Sequence, residues 1–420
     1  KTTGQLLLFC GFLFIIISMP INHTNAIKSA GYFLILIGFF IDVFQTRSFQ
    51  IRSNPLLFPA LILVSAILFS LFTTNNPLLT LSKIRSQCFV PITLFFITSF
   101  FAKDLRFTKV VVVFLLIVNI AIILFYDIFF ITNNGNIRFI INFIATKKFI
   151  SNGLAPSSCY FLFASIFSYI YFTIAKSIRA AILTFILLLS NIFFLILSNQ
   201  RAALVGIVCA FAVSVTVFKK MTGQKAKLAL LSLAILSSLL ILATPLKNIL
   251  IHEDWSKLIK LQFSSEYQKN DSAQFRITIQ KYFWGYLKDH PFEGVGFGRK
   301  NLDYISEEEL PDKPVPLSHA HNVLFHMALQ TGVQGAMALL FLVFMQFRLL
   351  WKGIKKAGTR WDQFILVGTF LYMVGIWIRF QLDDVFRYGP LLTYWIVTGI
   401  ATGVYMRSTE EKSPSSSTPC

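Results

Sequence analysis

The sequence predicts an all-α fold, a polytopic integral membrane helical bundle of about twelve transmembrane helices with one large extramembrane loop. Two observations carry this prediction. Mean hydropathy is +0.67 and 55% of the residues are hydrophobic, whereas only 14% are charged, which excludes an ordinary soluble domain. Apolar runs of about 17–25 residues also recur from end to end, and a helix needs that length to cross about 30 Å of hydrocarbon.

The apolar windows give the predicted helices in chain order. They lie at residues 4–21, 27–44, 55–73, 88–102, 108–132, 153–174, 181–198, 202–218, 228–245, 325–350, 363–380 and 390–406. The first run has no small-residue cleavage site, so we interpret it as a retained helix. The chain then divides into helices 1–9 (residues 1–245), a large loop (246–324), helices 10–12 (325–406) and a disordered tail (407–420).

The loops alternate in their content of Lys and Arg, which outnumber Asp and Glu by 38 to 19 in the whole chain. The loops richer in cations are 45–54, 103–109, 175–180, 219–227 and 351–362, and the positive-inside rule makes them cytoplasmic. We therefore expect both termini in the cytoplasm and the 246–324 loop on the outward side of the membrane, which is the periplasm if the cell has an outer membrane. Nucleic acid binding is not expected, because no basic stripe is interleaved with exposed aromatic residues.

Four arginines depart from this charge pattern. Arg85, Arg138, Arg201 and Arg387 fall on the outward side, where cations are under-used. Interfacial snorkelling accounts for such a residue equally well. Arg201 is the most telling, because it lies between two apolar runs with almost no loop, and a guanidinium at that depth is costly without an anion. A guanidinium can donate two parallel N–H hydrogen bonds, a geometry that suits the oxygens of a phosphate. The alternative is a salt bridge to an acid such as Asp383 or Asp384.

The large loop contains one clear helix candidate. Apolar residues recur at helical spacing from Phe275 to Leu287, with Arg276 elsewhere on the helical wheel. Pro291 should end this helix, and Gly294, Gly296 and Gly298 should then form a flexible turn. An amphipathic helix followed by such a turn could cover a lateral opening to the bilayer.

A histidine stands where the large loop meets the next apolar helix. His321-Asn322 is followed after nine residues by Gly332 and after two more by Gly335. An imidazole is a natural general base near neutral pH, and at this boundary it can meet a water-borne and a lipid-borne substrate. The glycines would let the helix that follows pack closely. The alternative role for His321 is to cap or hydrogen-bond that helix.

Two further histidines, His319 and His326, compete with His321 for a chemical role. Three histidines in eight residues could suggest a metal, but no carboxylate in this stretch completes a ligand set. The five cysteines form no Cys-x-x-Cys motif and no cluster with histidine. We therefore expect neither a metal nor another cofactor.

Together these residues resemble the O-antigen ligase family, which shares a superfamily with O-antigen polymerases. The matching features are the His-Asn-x9-Gly-x-x-Gly signature that begins at His321 and the outward Arg201. A further match runs from Arg276 through the His-Pro-Phe-Glu-Gly-Val-Gly stretch that begins at His290. The arrangement of helices, with the large loop before the tenth, fits the family over most of the chain.

The resemblance implies a helical membrane bundle with an outward cavity beneath surface helices of the large loop. It also implies a membrane enzyme, a glycosyltransferase of lipopolysaccharide biosynthesis. The donor would be a glycan on undecaprenyl pyrophosphate and the acceptor the lipid A–core oligosaccharide, with membrane lipids around both. No cofactor is implied, since the donor already carries its leaving group.

The resemblance also assigns roles to residues. His321 corresponds to the family's essential histidine, and Arg201 and Arg276 to its pyrophosphate-binding arginines. Asp384 is similar to an acidic residue of the last outward loop, but the neighbouring Asp383 leaves the register open. Supporting roles are expected of His319, Asn322, Arg138 and Arg85, and packing roles of Gly294, Gly296, Gly332 and Gly335.

Two other functions remain as alternatives. An O-antigen polymerase would use the same donor, with a growing glycan as acceptor; the asparagine after His321 and the single dominant loop favour the ligase. A transporter of lipid-linked oligosaccharides belongs to a different class. It should carry ionisable residues near the span centres and a two-half repeat, whereas these spans are nearly free of charge.

Overall fold

The described part of the computed structural model is helical. It covers residues 3–21, 24–46, 54–132, 154–175, 177–197, 200–221, 272–305, 320–382, 386 and 388–410, without the side chains of some residues near the gaps. The α-helices are α1 (Thr3–Ser18), α2 (Asn25–Thr46), α3 (Leu57–Phe69), α4 (Pro77–Ile84), α5 (Val90–Phe101), α6 (Leu105–Thr132), α7 (Leu154–Ile174), α8 (Ile178–Leu197), α9 (Arg201–Met221), α10 (Ser272–Asp289), α11 (Val323–Thr331), α12 (Val333–Lys356), α13 (Arg360–Leu382) and α14 (Tyr388–Glu410). A π-helical turn, Arg85–Phe89, joins α4 to α5, and a 3₁₀ helix spans Arg299–Tyr304.

Length and composition allow seven of the described helical stretches to cross a membrane, and three shorter apolar helices accompany them. The prediction of an all-helical membrane protein is therefore confirmed, whereas the expected number of twelve spans is not. The window 228–245 lies outside the described residues, as do most of the 246–324 loop and the tail after residue 410.

Two predicted spans are divided differently in the structure. The window 88–102 is the second half of one continuous stretch, Pro77–Phe101, in which the π turn carries the chain from α4 into α5. The window 325–350 is two helices, α11 and α12, which meet at Gly332. Gly332 has a φ of 77°, a left-handed value that favours glycine. The break shortens the membrane helix and makes α11 a separate element.

Contacts between distant residues identify the two ends of the bundle. At one end, the Arg407 guanidinium near the end of α14 is paired with Asp362 at the start of α13 and donates to the Lys103 carbonyl at 3.1 Å. At the other end, the Thr393 hydroxyl near the start of α14 contacts the Met19 sulfur just after α1. The end of α13 belongs to this second end, and the candidate site is built there.

Glycines bring two pairs of helices into close contact. In the α1–α2 hairpin, a Cβ added at Gly11 would lie 2.6 Å from the Gly31 carbonyl oxygen, and one added at Gly38 would lie 2.6 Å from that of Gly4. Gly206 of α9 stands in the same relation to the backbone of Gly375 in α13. Without side chains at these positions the backbones can approach closely, as is usual between membrane helices.

Gly206→Leu should force α9 away from α13, because the new side chain would occupy the space of the Gly375 backbone. Overpacking of this kind typically costs about 1–3 kcal/mol. The melting temperature of the detergent-solubilised protein should therefore fall. Gly285→Leu is the matched control, since no atom lies within 4 Å of a Cβ at that exposed position. Equal melting temperatures for the two variants would contradict the close contact of α9 and α13.

Candidate functional site

His321 and Asn322 form the entrance to α11. His321 is half-buried and has a φ of 53°, and it is the one non-glycine residue with positive φ in the described part of the chain. Asn322 returns to extended backbone, and its side-chain oxygen accepts a hydrogen bond from the Phe325 N–H at 2.9 Å. This is an N-cap, which satisfies an otherwise unpaired helix donor. Asn322 is therefore the capping side chain, so capping does not account for His321.

The C-terminal end of α13 collects groups from the elements around it. The side-chain amide of Asn322 donates to the Gln381 carbonyl at 3.2 Å, and Nη1 of Arg276 donates to the Leu382 carbonyl at 2.9 Å. The last carbonyls of a helix lack intrahelical partners and carry partial negative charge, so both donors suit this position. Arg276 and the His321-Asn322 pair are thereby brought to one place, although they lie far apart in sequence.

A second hydrogen bond joins α10 to the entrance of α11. Nε2 of Gln280 donates to the Ala320 carbonyl at 3.2 Å, immediately before His321. Arg276 and Gln280 are one helical turn apart on α10. This side of α10 therefore faces the catalytic candidates, and its apolar Ile279, Phe283 and Leu287 are buried in a small core with Leu329 of α11.

Arg379 also belongs to this region, and the sequence reasoning missed it. The residue lies on α13 and its side chain is fully buried. Nε lies 3.4 Å from the Cys159 sulfur, and Nη2 donates to the Gln200 side-chain oxygen at 3.3 Å. Gln200 directly precedes Arg201, the first residue of α9. The start of α9 therefore meets α13 one turn before the carbonyls that hold Arg276 and Asn322.

Residues 294–298, the Gly-rich strap, run beside the end of α11. The Val295 N–H donates to the Leu329 carbonyl and the Gly296 N–H to the Gln330 carbonyl, both at 3.0 Å. A Cβ at Gly294 would collide with the Gln330 backbone. The expectation of a flexible turn was wrong, because these hydrogen bonds fix the strap against α11. The helix before the strap does end as predicted, with Asp289 its last residue before Pro291.

A cavity lies beneath the strap, against the face of α11 that carries Val323, His326 and Gln330. Its polar lining is formed by Gln87, Arg299, His326 and Gln330. His326 is buried and its Nε2 contacts the Gln330 side-chain amide, whose oxygen accepts from the Gly298 N–H at 3.1 Å. The apolar lining includes Leu63, Ile67, Ile92, Val323, Leu339 and Trp395. His326 therefore belongs to this cavity and to the packing of the strap.

The structure gives less information about the remaining predicted residues. The candidates His319, Asp383, Asp384, Arg138 and Arg387 lie outside the described residues, and of Arg201 only the backbone is described. Arg85 is exposed and begins the π turn. Gly335 packs against the Thr331 side chain across the break between α11 and α12. Among the described residues, no three His, Cys, Asp or Glu side chains come close enough to share a metal ion.

Comparison with known proteins gives one family. The model of a family described as O-antigen ligase matches residues 183–340. This segment is less than half of the chain, and it contains Arg201, Arg276, the Gly-rich strap and the His321-Asn322 pair. The match confirms the resemblance drawn from the sequence motifs. A search of curated proteins found no match to the chain.

Proposed function

From the O-antigen ligase domain carried by residues 183–340, we propose that the protein transfers a glycan from undecaprenyl pyrophosphate to the lipid A–core oligosaccharide. The reaction would take place at the periplasmic face of a bacterial inner membrane. One observation carries the proposal: Asn322 and Arg276 donate to the last carbonyls of α13, and Gln200, which precedes Arg201, accepts from Arg379 in the same turn. A base and two guanidinium groups at a membrane boundary are what a diphosphate-activated sugar requires.

The proposed reaction needs no further activation of the donor. His321 takes the proton from an acceptor hydroxyl, and the hydroxyl oxygen forms a bond to the anomeric carbon. The bond from that carbon to the diphosphate oxygen breaks, and the diphosphate leaves with the electron pair. A single displacement of this kind inverts the anomeric centre. Arg201 and Arg276 stabilise the charge that builds on the leaving diphosphate.

The position of Arg276 supports this role. The Leu382 carbonyl takes one of its five N–H donors and holds the guanidinium at the end of α13. The other donors can form a bidentate contact with phosphate oxygens. The backbone contact therefore orients the group before the ligand arrives, which lowers the entropic cost of binding.

The decisive experiment uses the full-length protein in liposomes with a fluorescent glycan on undecaprenyl pyrophosphate. With lipid A–core present, the label should move to the acceptor, and without it the donor should remain unchanged. Donor glycans that lengthen in the absence of lipid A–core would instead identify a polymerase. Movement of the donor across the bilayer with no new bond would identify a transporter.

Transfer by the purified protein should survive EDTA and should not require added magnesium. The reason is that two arginines supply the positive charge that many transferases obtain from a divalent ion. The rate of transfer is measured before and after chelation, with an EDTA-treated magnesium-dependent enzyme as the positive control. If chelation abolished transfer and one divalent ion restored it, the expectation would be wrong. Asp383 and Asp384 would then be the candidate ligands of that ion.

A further inference from the structure

Two further cations, Lys83 and Arg299, lie at the strap. The aliphatic stem of Lys83 covers the strap, since a Cβ at Gly298 would lie 2.6 Å from Lys83 Cγ. Arg299, the next residue, lines the cavity beneath the strap. Lys83 and Arg299 are both half-buried, so their stems pack on protein while the side chains still reach solvent.

The π turn Arg85–Phe89 contributes to the same cavity. It places the Gln87 amide and the Cys88 side chain in the lining, one turn after Lys83. π-helices are rare in proteins. Where a single π-helical turn occurs, it often lies at a functional site. Cations, amides and a π turn thus occur together at the strap.

The rest of the cavity wall is apolar, and it comes from membrane helices: Ile67 of α3, Leu339 of α12 and Trp395 of α14. A largely apolar site that also contains the Arg299 guanidinium and side-chain amides suits an amphiphile with an anionic group. Val323, two residues after His321, also lines the cavity. Asn322 donates to the end of α13, so the two residues that follow His321 reach the proposed donor site and the cavity.

We propose that Lys83 and Arg299 bind a phosphate group of the acceptor glycolipid, while Arg201 and Arg276 bind the donor. This inference rests on the proposed transferase function. A transferase that uses two membrane-borne substrates must hold both beside one base, and the strap with its cavity is a second place where cations and apolar side chains meet. A phosphate monoester carries about −1.5 to −2 charges at neutral pH, which two cations would balance.

Lys83→Gln and Arg299→Gln are tested singly and together on two acceptors, phosphorylated lipid A–core and the same glycolipid after phosphatase treatment. Each substitution should raise KM for the phosphorylated acceptor by roughly tenfold, the loss of one charge-assisted contact. Donor KM should be unchanged, and on the dephosphorylated acceptor the variants should equal the wild type. Lys83→Arg should restore the wild-type value. Lys281→Gln, which removes an exposed charge from α10, is the matched control.

Three outcomes would overturn the inference. A rise in donor KM would assign the cavity to the donor, and an equal loss on both acceptors would show that phosphate is not recognised. Equal binding of phosphatidylglycerol and the phosphorylated acceptor would make the site a general lipid site. Native mass spectrometry of acceptor binding needs no transfer, so it tests the inference even if the proposed reaction fails. Melting temperatures identify any variant that does not fold.

Discussion

Replacing His321 with alanine is expected to abolish glycan transfer while the protein remains folded and membrane-inserted. Removal of a general base typically costs about 10²–10⁴-fold in rate. Three observations support that proposed role: His321 is half-buried, its neighbour Asn322 donates to the end of α13, and Asn322 rather than His321 caps α11. Transfer to lipid A–core by equal amounts of purified protein is the measurement.

The positive φ of His321 suggests a control variant, His321→Asn. Its φ of 53° is tolerated by asparagine better than by alanine. His321→Asn should therefore keep the stability of the wild type and still be inactive, which separates the loss of the base from strain in the chain. His326→Ala should chiefly lower the melting temperature, since His326 is buried against Gln330. Near wild-type transfer by His321→Ala would refute the assignment.

Arg201→Lys and Arg276→Lys are each expected to lower the rate of transfer by roughly tenfold or more. Lysine keeps the charge but loses the bidentate fork and, at position 276, the geometry of the contact with the Leu382 carbonyl. If both side chains hold one diphosphate, removing either misplaces the ligand for the other. In the double variant, the loss of transition-state stabilisation should then differ from the sum of the two single losses.

The measurement is a double-mutant cycle on transfer rates at limiting donor. Arg360→Lys is the matched control, because it changes an exposed arginine at the opposite end of α13. It should leave the rate unchanged. Strictly additive losses for the Arg201 and Arg276 variants would mean that the two arginines act on different groups.

Local patterns were enough to predict α10 and its end. Apolar residues at helical spacing indicated Phe275–Leu287, and the helix runs from Ser272 to Asp289, just before Pro291. The fixed strap was not predictable in this way. Its hydrogen bonds join Gly294 to Thr73 at 2.5 Å and Gly296 to Gln330, so the partners lie in other parts of the chain.

Arg379 was missed for a related reason. Arg379 is the one charged residue of the predicted span 363–380, so it hardly changes the average hydropathy of that window. A charged residue inside a predicted span is nevertheless a signal of function or of a specific partner. What the sequence could not show is that its partner side chains come from distant parts of the chain, Cys159 in α7 and Gln200 just before α9.

The glycine contacts of the α1–α2 hairpin bear on how the protein enters the membrane. α1 has 16 residues, fewer than the roughly 20 that a helix needs to cross the bilayer. Its backbone is covered by α2 from Gly31 to Gly38, so the two helices form one packed hairpin. Close packing through small residues is typical of helices that associate within a bilayer. The hairpin, and not α1 by itself, is therefore the unit that enters the membrane.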